Sequence, residues 1–364
     1  MFLEQNYFSG ACLILLLVIA SPVFAQDSHA IFPVRISGNM LFPAISYAPE
    51  TSLALGVIGI CLYRADTATR LSRISATAIY TLDKQYSVQG DLMIYTSHNR
   101  YLLKGSLDYS KFPGYYYGIG DNTLSQNKTL LSYQDYKGSF ALLKQLVFHS
   151  YLGVKAAHSD YFHVGAESGY LPLPDTLTGK NGGMTFGLGI TAIFDNRDHP
   201  ITTHTGWYAE LSFLSNEKFL GSDYQFTAFD ADLRKFIQIR PGSILAFQAI
   251  GSVKSGQVPF LQLSCLGGDD MMRGIYAGRY RDKDLEAAQV EYRRMIAPRW
   301  GFVLFAGEGK VGGDLHTLAN NPLQDSYGIG LRRVASTNDR ISLRIDLGFG
   351  NGQANFYVNI GEAF

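Results

Sequence analysis

Residues 265–282 crowd Asp269, Asp270, Arg273, Arg279, Arg281 and Asp282 into one short stretch. A carboxylate pair such as Asp269-Asp270 could ligate a cation, or stand solvated in a loop. Gly267, Gly268, Gly274 and Gly278 break any regular period, so the stretch reads as loop. It falls in a gap of about thirty residues, a length that is usually functional or disordered. The glycines on both sides of the Met272-Arg273 core point to an ordered, folded-back loop. Other patterns suggest chemistry by their letters alone. Gly307-x-Gly309-x-x-Gly312 matches a dinucleotide fingerprint, but Gly313-Asp314-Leu315-His316 follows as loop, where a pyrophosphate needs a helix N-terminus. No Gly-x-Ser-x-Gly and no His-Glu-x-x-His occurs. His199 and His204 read as solvated turn residues, and Asn127-x-Thr129 is a sequon by letters only. No catalytic set, metal or cofactor is expected.

The elements that would position these residues are strands. Residues 1–25 read as a signal peptide: Ala11 to Ala20 is an apolar run too short to span a bilayer, and Val23-Phe24-Ala25 supplies small or apolar residues for cleavage. Its first ten residues hold Glu4 and no Lys or Arg, unlike the usual positive start, and Cys12 precedes the apolar run where a lipid-modified Cys would follow it. Lys+Arg and Asp+Glu are both 31, which gives no argument for nucleic acid. Cys61 and Cys265 fit neither a metal site nor a disulfide scaffold. With 38 Gly, 23 Tyr and 23 Phe and no apolar run of helix-spanning length, the membrane option for an exported chain is a closed β-barrel.

Residues 26–39 form a short leader, and from 40 to 364 the chain alternates with period two. Ala354, Phe356, Val358, Ile360 and Phe364 share one face, read as lipid-facing, although Glu362 falls on it too. Ile341, Leu343, Ile345 and Leu347 oppose Ser342, Arg344, Asp346 and Gly348. The runs are longer than soluble strands and put charge on the polar face, which favours a membrane barrel over a soluble sandwich. Sixteen strands are counted, from 40–48 to 353–364, closing antiparallel on each other. Long gaps at 110–132, 160–182, 253–284 and 310–323 all follow odd strands. Those after even strands are short, the longest being 64–72 and 196–205, so long loops fall on one side. Residues 265–282 thus lie in the sixth extracellular loop.

That loop, followed by Gln289-Val290-Glu291-Tyr292-Arg293, resembles the bacterial surface antigen family, the BamA/TamA-type outer-membrane assembly and transport barrels. The family's Val-Arg-Gly-aromatic motif reads here as Met272-Arg273-Gly274-Ile275, with Tyr276 one place late. Residues 43–56, 116–123 and Asp195-Asn196-Arg197-Asp198 are similar to short members that lack POTRA domains, and the closing Phe364 resembles the family's assembly signal, with Phe356, Val358 and Ile360. The strand-13 motif Phe-x-Asp-x-Gly appears as Phe305-Ala306-Gly307-Glu308-Gly309, without its lumen-facing Asp and with Glu308 toward lipid. Residues 26–39 leave no room for a POTRA domain. The resemblance implies a sixteen-stranded transmembrane barrel of the outer membrane, its sixth loop folded into the lumen. Parity puts Gln289, Glu291 and Arg293 on the lumen face, so Arg273 would take Glu291 as its main partner, with Gly274 bending the backbone beside it. The implied role is outer-membrane biogenesis, or polypeptide or lipid translocation or insertion, not catalysis. Outer-membrane lipids, the assembly machinery and a separate periplasmic or POTRA-bearing protein would be the partners. The alternatives are a porin-like passive channel and an enzyme on a barrel scaffold.

Overall fold

The computed structural model describes residues 35–48, 52–337 and 340–364. The chain is a long antiparallel meander. From β1 (Arg35–Ala48), the strands β2 (Ser52–Arg64), β3 (Ser72–Thr81), β4 (Tyr86–Tyr95) and β5 (Tyr101–Lys111) each pair with the strand before. The short β6 (Gly114–Tyr116) continues the line of β5 along β7 (Thr129–Val147). β8 (Ser150–Ala166), β9 (Gly183–Asp195), β10 (Gly206–Asn216), β11 (Phe226–Arg240) and β12 (Ser243–Gly256) follow in order. The next connection folds a small separate hairpin, β13 (Ser264–Leu266) with β14 (Tyr280–Asp282). β15 (Asp284–Ala297) then pairs with β12, and β16 (Trp300–Gly312), β17 (Gln324–Ser336), β18 (Ile341–Gly350) and β19 (Gln353–Ile360) complete a seventeen-stranded sheet. A six-residue helix, α1 (Leu315–Asn320), lies in the β16–β17 loop. β1 begins at Arg35, so the first strand starts inside the span read as leader. The signal-peptide reading of 1–25 lies outside the described residues.

The period-two pattern sorts the faces in the reverse of a water-soluble sheet. Leu53, Leu55 and Val57 of β2, Leu211 and Phe213 of β10, and Ile329 and Leu331 of β17 are exposed on the outer face. Ser342, Arg344 and Asp346 of β18 are buried on the inner one. Phe356 and Val358 of β19 stand opposite Leu347 and Ile345, on the outward register, and Ile360 stands opposite Leu343. Among the described residues no helix is long and apolar enough to cross a membrane.

The sheet curls until inner faces of distant strands touch. Lys104 of β5 forms an ion pair with Glu210 of β10. The Tyr95 hydroxyl of β4 donates to Asp195 of β9 at 3.1 Å. Residues 196–205 fold back beneath the curl: Arg340 pairs with Asp198, and Thr202 donates to the Arg340 carbonyl at 2.5 Å. His199 is therefore buried, its Nδ1 accepting from the Ile201 and Thr202 amides, and not the solvated turn residue its sequence suggests. Phe42 of β1, Leu62 of β2 and Ile341 of β18 share one apolar cluster against which Ile360 of β19 packs. Among the described residues no backbone ladder joins β1 to β19.

The last residues correct the reading that Phe364 faces lipid. Strand β19 ends at Ile360, and Gly361, at φ +89°, turns the chain inward. Glu362 accepts from Arg332 at 2.8 Å, and Phe364 is 6 % exposed with its ring 6.1 Å from that of Phe236. The Arg293 guanidinium lies 5.1 Å over the Phe364 ring and donates to its carbonyl oxygen at 3.0 Å. Counting parity through a glycine that breaks the strand gives the wrong face. Phe364→Ala removes a buried ring, so it should cost about 3 kcal/mol and lower the temperature at which the heat-modifiable form unfolds on a gel. An unchanged transition would show that the ring bears no load.

Candidate functional site: a loop held by charge

Arg273 is among the largest fully buried side chains in the described residues, at 0 % exposure. Its Nη2 donates to Glu291 of β15 and its Nη1 to Asp346 of β18, both also fully buried. Its guanidinium carbon stacks 3.7 Å over the Phe305 ring of β16. The expected main partner, Glu291, is thus one of two. The carboxylate missing at Gly307 is replaced from two strands away by Asp346, which parity puts on the polar face but no local pattern singles out.

A buried charge persists only if its neighbours neutralise it. Here four guanidinium groups meet four carboxylates. Arg293 donates to Glu291 at 2.7 Å and Arg332 bridges Asp346 and Glu362. Arg344 reaches Asp270 of the loop at 3.1 Å and lies 3.7 Å from Asp346. The Asp269-Asp270 pair, though exposed, is bonded within the chain: Asp270 accepts from Arg344 and Asp269 accepts from Asn359 at 2.6 Å.

The loop backbone fits because the wall opposite it lacks side chains. Gly274, at φ +110°, donates its N–H to the Tyr357 hydroxyl at 3.0 Å and accepts from Asn355 at 2.7 Å. A Cβ on Gly274 would lie 2.4 Å from the Phe349 carbonyl carbon, and one on Gly348 would lie 2.6 Å from that of Arg273. Met272, fully buried at φ +58°, puts its sulfur into the space left by Gly307, 3.1 Å from where a Cβ would be. Gly309 similarly admits Leu266, and Ile275 packs beside Gly350. Glu308 is exposed on the outer face. The residues the sequence reading missed are Asp346, Arg332, Glu362, Tyr357 and Asn355, all on strands β17 to β19 or just beyond.

The loop's upper part docks on the segment after β5. Arg279 donates to the Thr123 carbonyl at 2.6 Å and stacks 4.7 Å over Tyr117. Arg281 lies 5.3 Å over Tyr116, and its carbonyl accepts from Gly120 at 2.8 Å. Tyr276 packs edge-on against Tyr115 and Tyr117.

An antiparallel sheet that is apolar outside and charged inside, with a long loop pinned to its inner wall, defines an all-β protein of BamA-like fold. The Omp85 superfamily domain matches residues 58–364, and the chain belongs to that superfamily. No curated protein sequence matches it. Among solved structures, BamA from Haemophilus ducreyi lacking POTRA domains 1–3 aligns over 97 % of this chain and 74 % of its own, with TM-score 0.55 and 14 % identity. CdiB from Escherichia coli aligns over 95 % of this chain and 67 % of its own, with TM-score 0.56 and 10 % identity. CdiB from Acinetobacter baumannii aligns over 97 % and 66 %, with TM-score 0.54 and 10 % identity. At these identities the likeness is one of fold.

Two predictions follow from the charge cluster and the close approach. Removing one partner of a buried ion pair costs about 3–5 kcal/mol, and less where water reaches the site. Glu291→Gln should therefore admit protease to residues 265–282 while the sheet stays folded, and its effect should be non-additive with that of Arg273→Ala. Purely additive losses would mean that the two side chains act apart. Gly274→Val should release the loop with all charges intact, because its side chain collides with the β18 backbone. Continued protection of the loop in that variant would contradict the close approach.

Proposed function

We propose that the sheet closes, β1 against β19, into a sixteen-stranded transmembrane β-barrel of the outer membrane, β6 being a continuation of β5. The shared cluster of Phe42 and Ile360 supports closure, since it brings side chains of the first and last strands together. Both tryptophans support the membrane boundary. Trp207 and Trp300 open strands at the end of the sheet with the short turns, Trp207 under Lys235 at 4.3 Å and Trp300 under Arg333 at 5.5 Å. Aromatic rings with adjacent cations suit the level of lipid head groups.

Within that barrel the chain acts in outer-membrane biogenesis, inserting or translocating a polypeptide or lipid with a separate periplasmic or POTRA-bearing partner, and it is not an enzyme. The observation that carries this reading is the fully buried Arg273 between Glu291 and Asp346, which holds the sixth loop inside the barrel. A loop so held fills part of the lumen, which argues against a wide, steadily open pore. The β1–β19 seam, closed by side-chain packing with no backbone ladder among the described residues, supplies a physical route for a polypeptide client, because strand edges freed at such a seam can template addition of another strand. Superfamily membership and the shared fold with BamA and CdiB agree with the role.

The test is to reconstitute the full chain in liposomes and follow an unfolded outer-membrane barrel client to its protease-resistant form. Faster client folding than in empty liposomes is expected, together with low basal conductance that rises in Glu291→Gln. Equal folding rates with a large steady conductance would establish the porin-like channel instead.

A further inference from the structure

A second charged region lies on the inner face near the 196–205 connection, where Arg73 and Arg234 also feel the charge of Asp270 at the margin of the Arg273 cluster. A cavity of about 330 Å³ is walled by β3, β4, β5, β7, β8, β10 and β11. Its positive charges outnumber its carboxylates. Glu210 takes Lys104, and Asp232 takes Arg234 at 2.5 Å. Asp195 serves two cations, Arg197 at 2.9 Å and Arg70 at 3.1 Å. That leaves Arg73 and Lys155 facing the cavity with Asp91 as the remaining carboxylate on its wall. Neither Arg73 nor Lys155 has an ion-pair partner within 4 Å among the described residues; Lys155 reaches only the Ser212 hydroxyl, at 3.3 Å. Ser106 and Ser139, hydrogen-bonded to each other at 2.7 Å, complete the lining between them.

We propose that this chamber binds an anion of the phosphate class. A tetrahedral dianion matches what the wall offers: the planar fork of Arg73, the point charge of Lys155 and the free hydroxyl hydrogen of the Ser106–Ser139 pair. It would also relieve the mutual repulsion of Arg73, Arg197 and Arg234, which line the same cavity. Asp91 and Glu210 face the chamber too, and Glu210 is already engaged by Lys104 and the Tyr208 hydroxyl. The site requires only the curled inner face, so it stands or falls separately from the insertion role proposed above.

The chemistry is shared by free phosphate and by a phosphorylated lipid head group. Full-length protein refolded in detergent is titrated calorimetrically with inorganic phosphate, beside Arg73→Gln, Lys155→Gln and the double variant. Each single change should weaken binding about tenfold, the equivalent of about 1.4 kcal/mol, and the double change should abolish it, with the heat-modifiable gel mobility unchanged. Should Arg73→Gln fail to fold, Arg73→Lys keeps the charge, loses the fork and should still bind more weakly. In parallel, lipid phosphorus is measured in extracts of protein purified from membranes. Phosphorus lost only in the double variant identifies a head group as the occupant; inorganic phosphate binding without that difference identifies a free anion. No difference between wild type and the double variant in either measurement overturns the proposal.

Discussion

The molecule's interior depends on one guanidinium removed from water. Desolvating Arg273 costs several kcal/mol, and only opposed charges at hydrogen-bond distance offset it. The two carboxylates that do so lie on β15 and β18, with β16 and β17 between them. A flat sheet would hold them too far apart for one side chain to reach both. The curvature of this part of the wall and the position of the loop are therefore set together. Changing either leaves a buried charge without its partner.

The other requirement is thinness. A loop can run along the inside of a wall only where neither backbone carries a side chain at the crossing. Gly274 faces Phe349 and Gly348 faces Arg273, so the two chains come within side-chain distance of each other. Glycine in a strand ordinarily weakens it. Here the loss is offset by the hydrogen bonds that Gly274 makes to Asn355 and Tyr357 and by the burial of Met272 and Ile275. The departure of this chain from its family's strand-13 motif has the same logic. With Gly307 in place of a carboxylate, a methionine sulfur occupies the space, and the charge is supplied from β18.

Alternation carried most of the fold. A period of two with apolar residues outward and charges inward is a signal repeated in strand after strand, and the one-sided long loops oriented it. Glu291 was legible for the same reason: it lies on the same face as Gln289 and Arg293, close in sequence to the loop. Asp346 shared its face with Arg344 but lies 73 residues from Arg273, and which inward carboxylate the loop reaches depends on curvature that no local pattern encodes. Phe364 was misplaced because Gly361 ends the strand, and parity has no meaning beyond such a break. His199 was misread for a related reason: the polar residues of the 196–205 connection suit solvent as well as they suit the amide and carbonyl contacts that bury this one.

The lock also reaches the edge of the sheet. Asn355, Tyr357 and Asn359 alternate along the inner face of β19, and each bonds the loop: Asn355 and Tyr357 at Gly274, Asn359 at Asp269. On its other side β19 meets β1 through apolar packing, with no ladder among the described residues. Net backbone hydrogen bonds contribute about 1 kcal/mol each, so an unlaced seam is the line along which the wall parts most readily. The strand at that seam is held from within by a loop whose own anchor is a buried charge cluster. Displacing β19 therefore strips three hydrogen bonds from the loop, and releasing the loop removes the inner support of β19. The seam and the plug are thermodynamically linked, and whatever displaces one acts on the other.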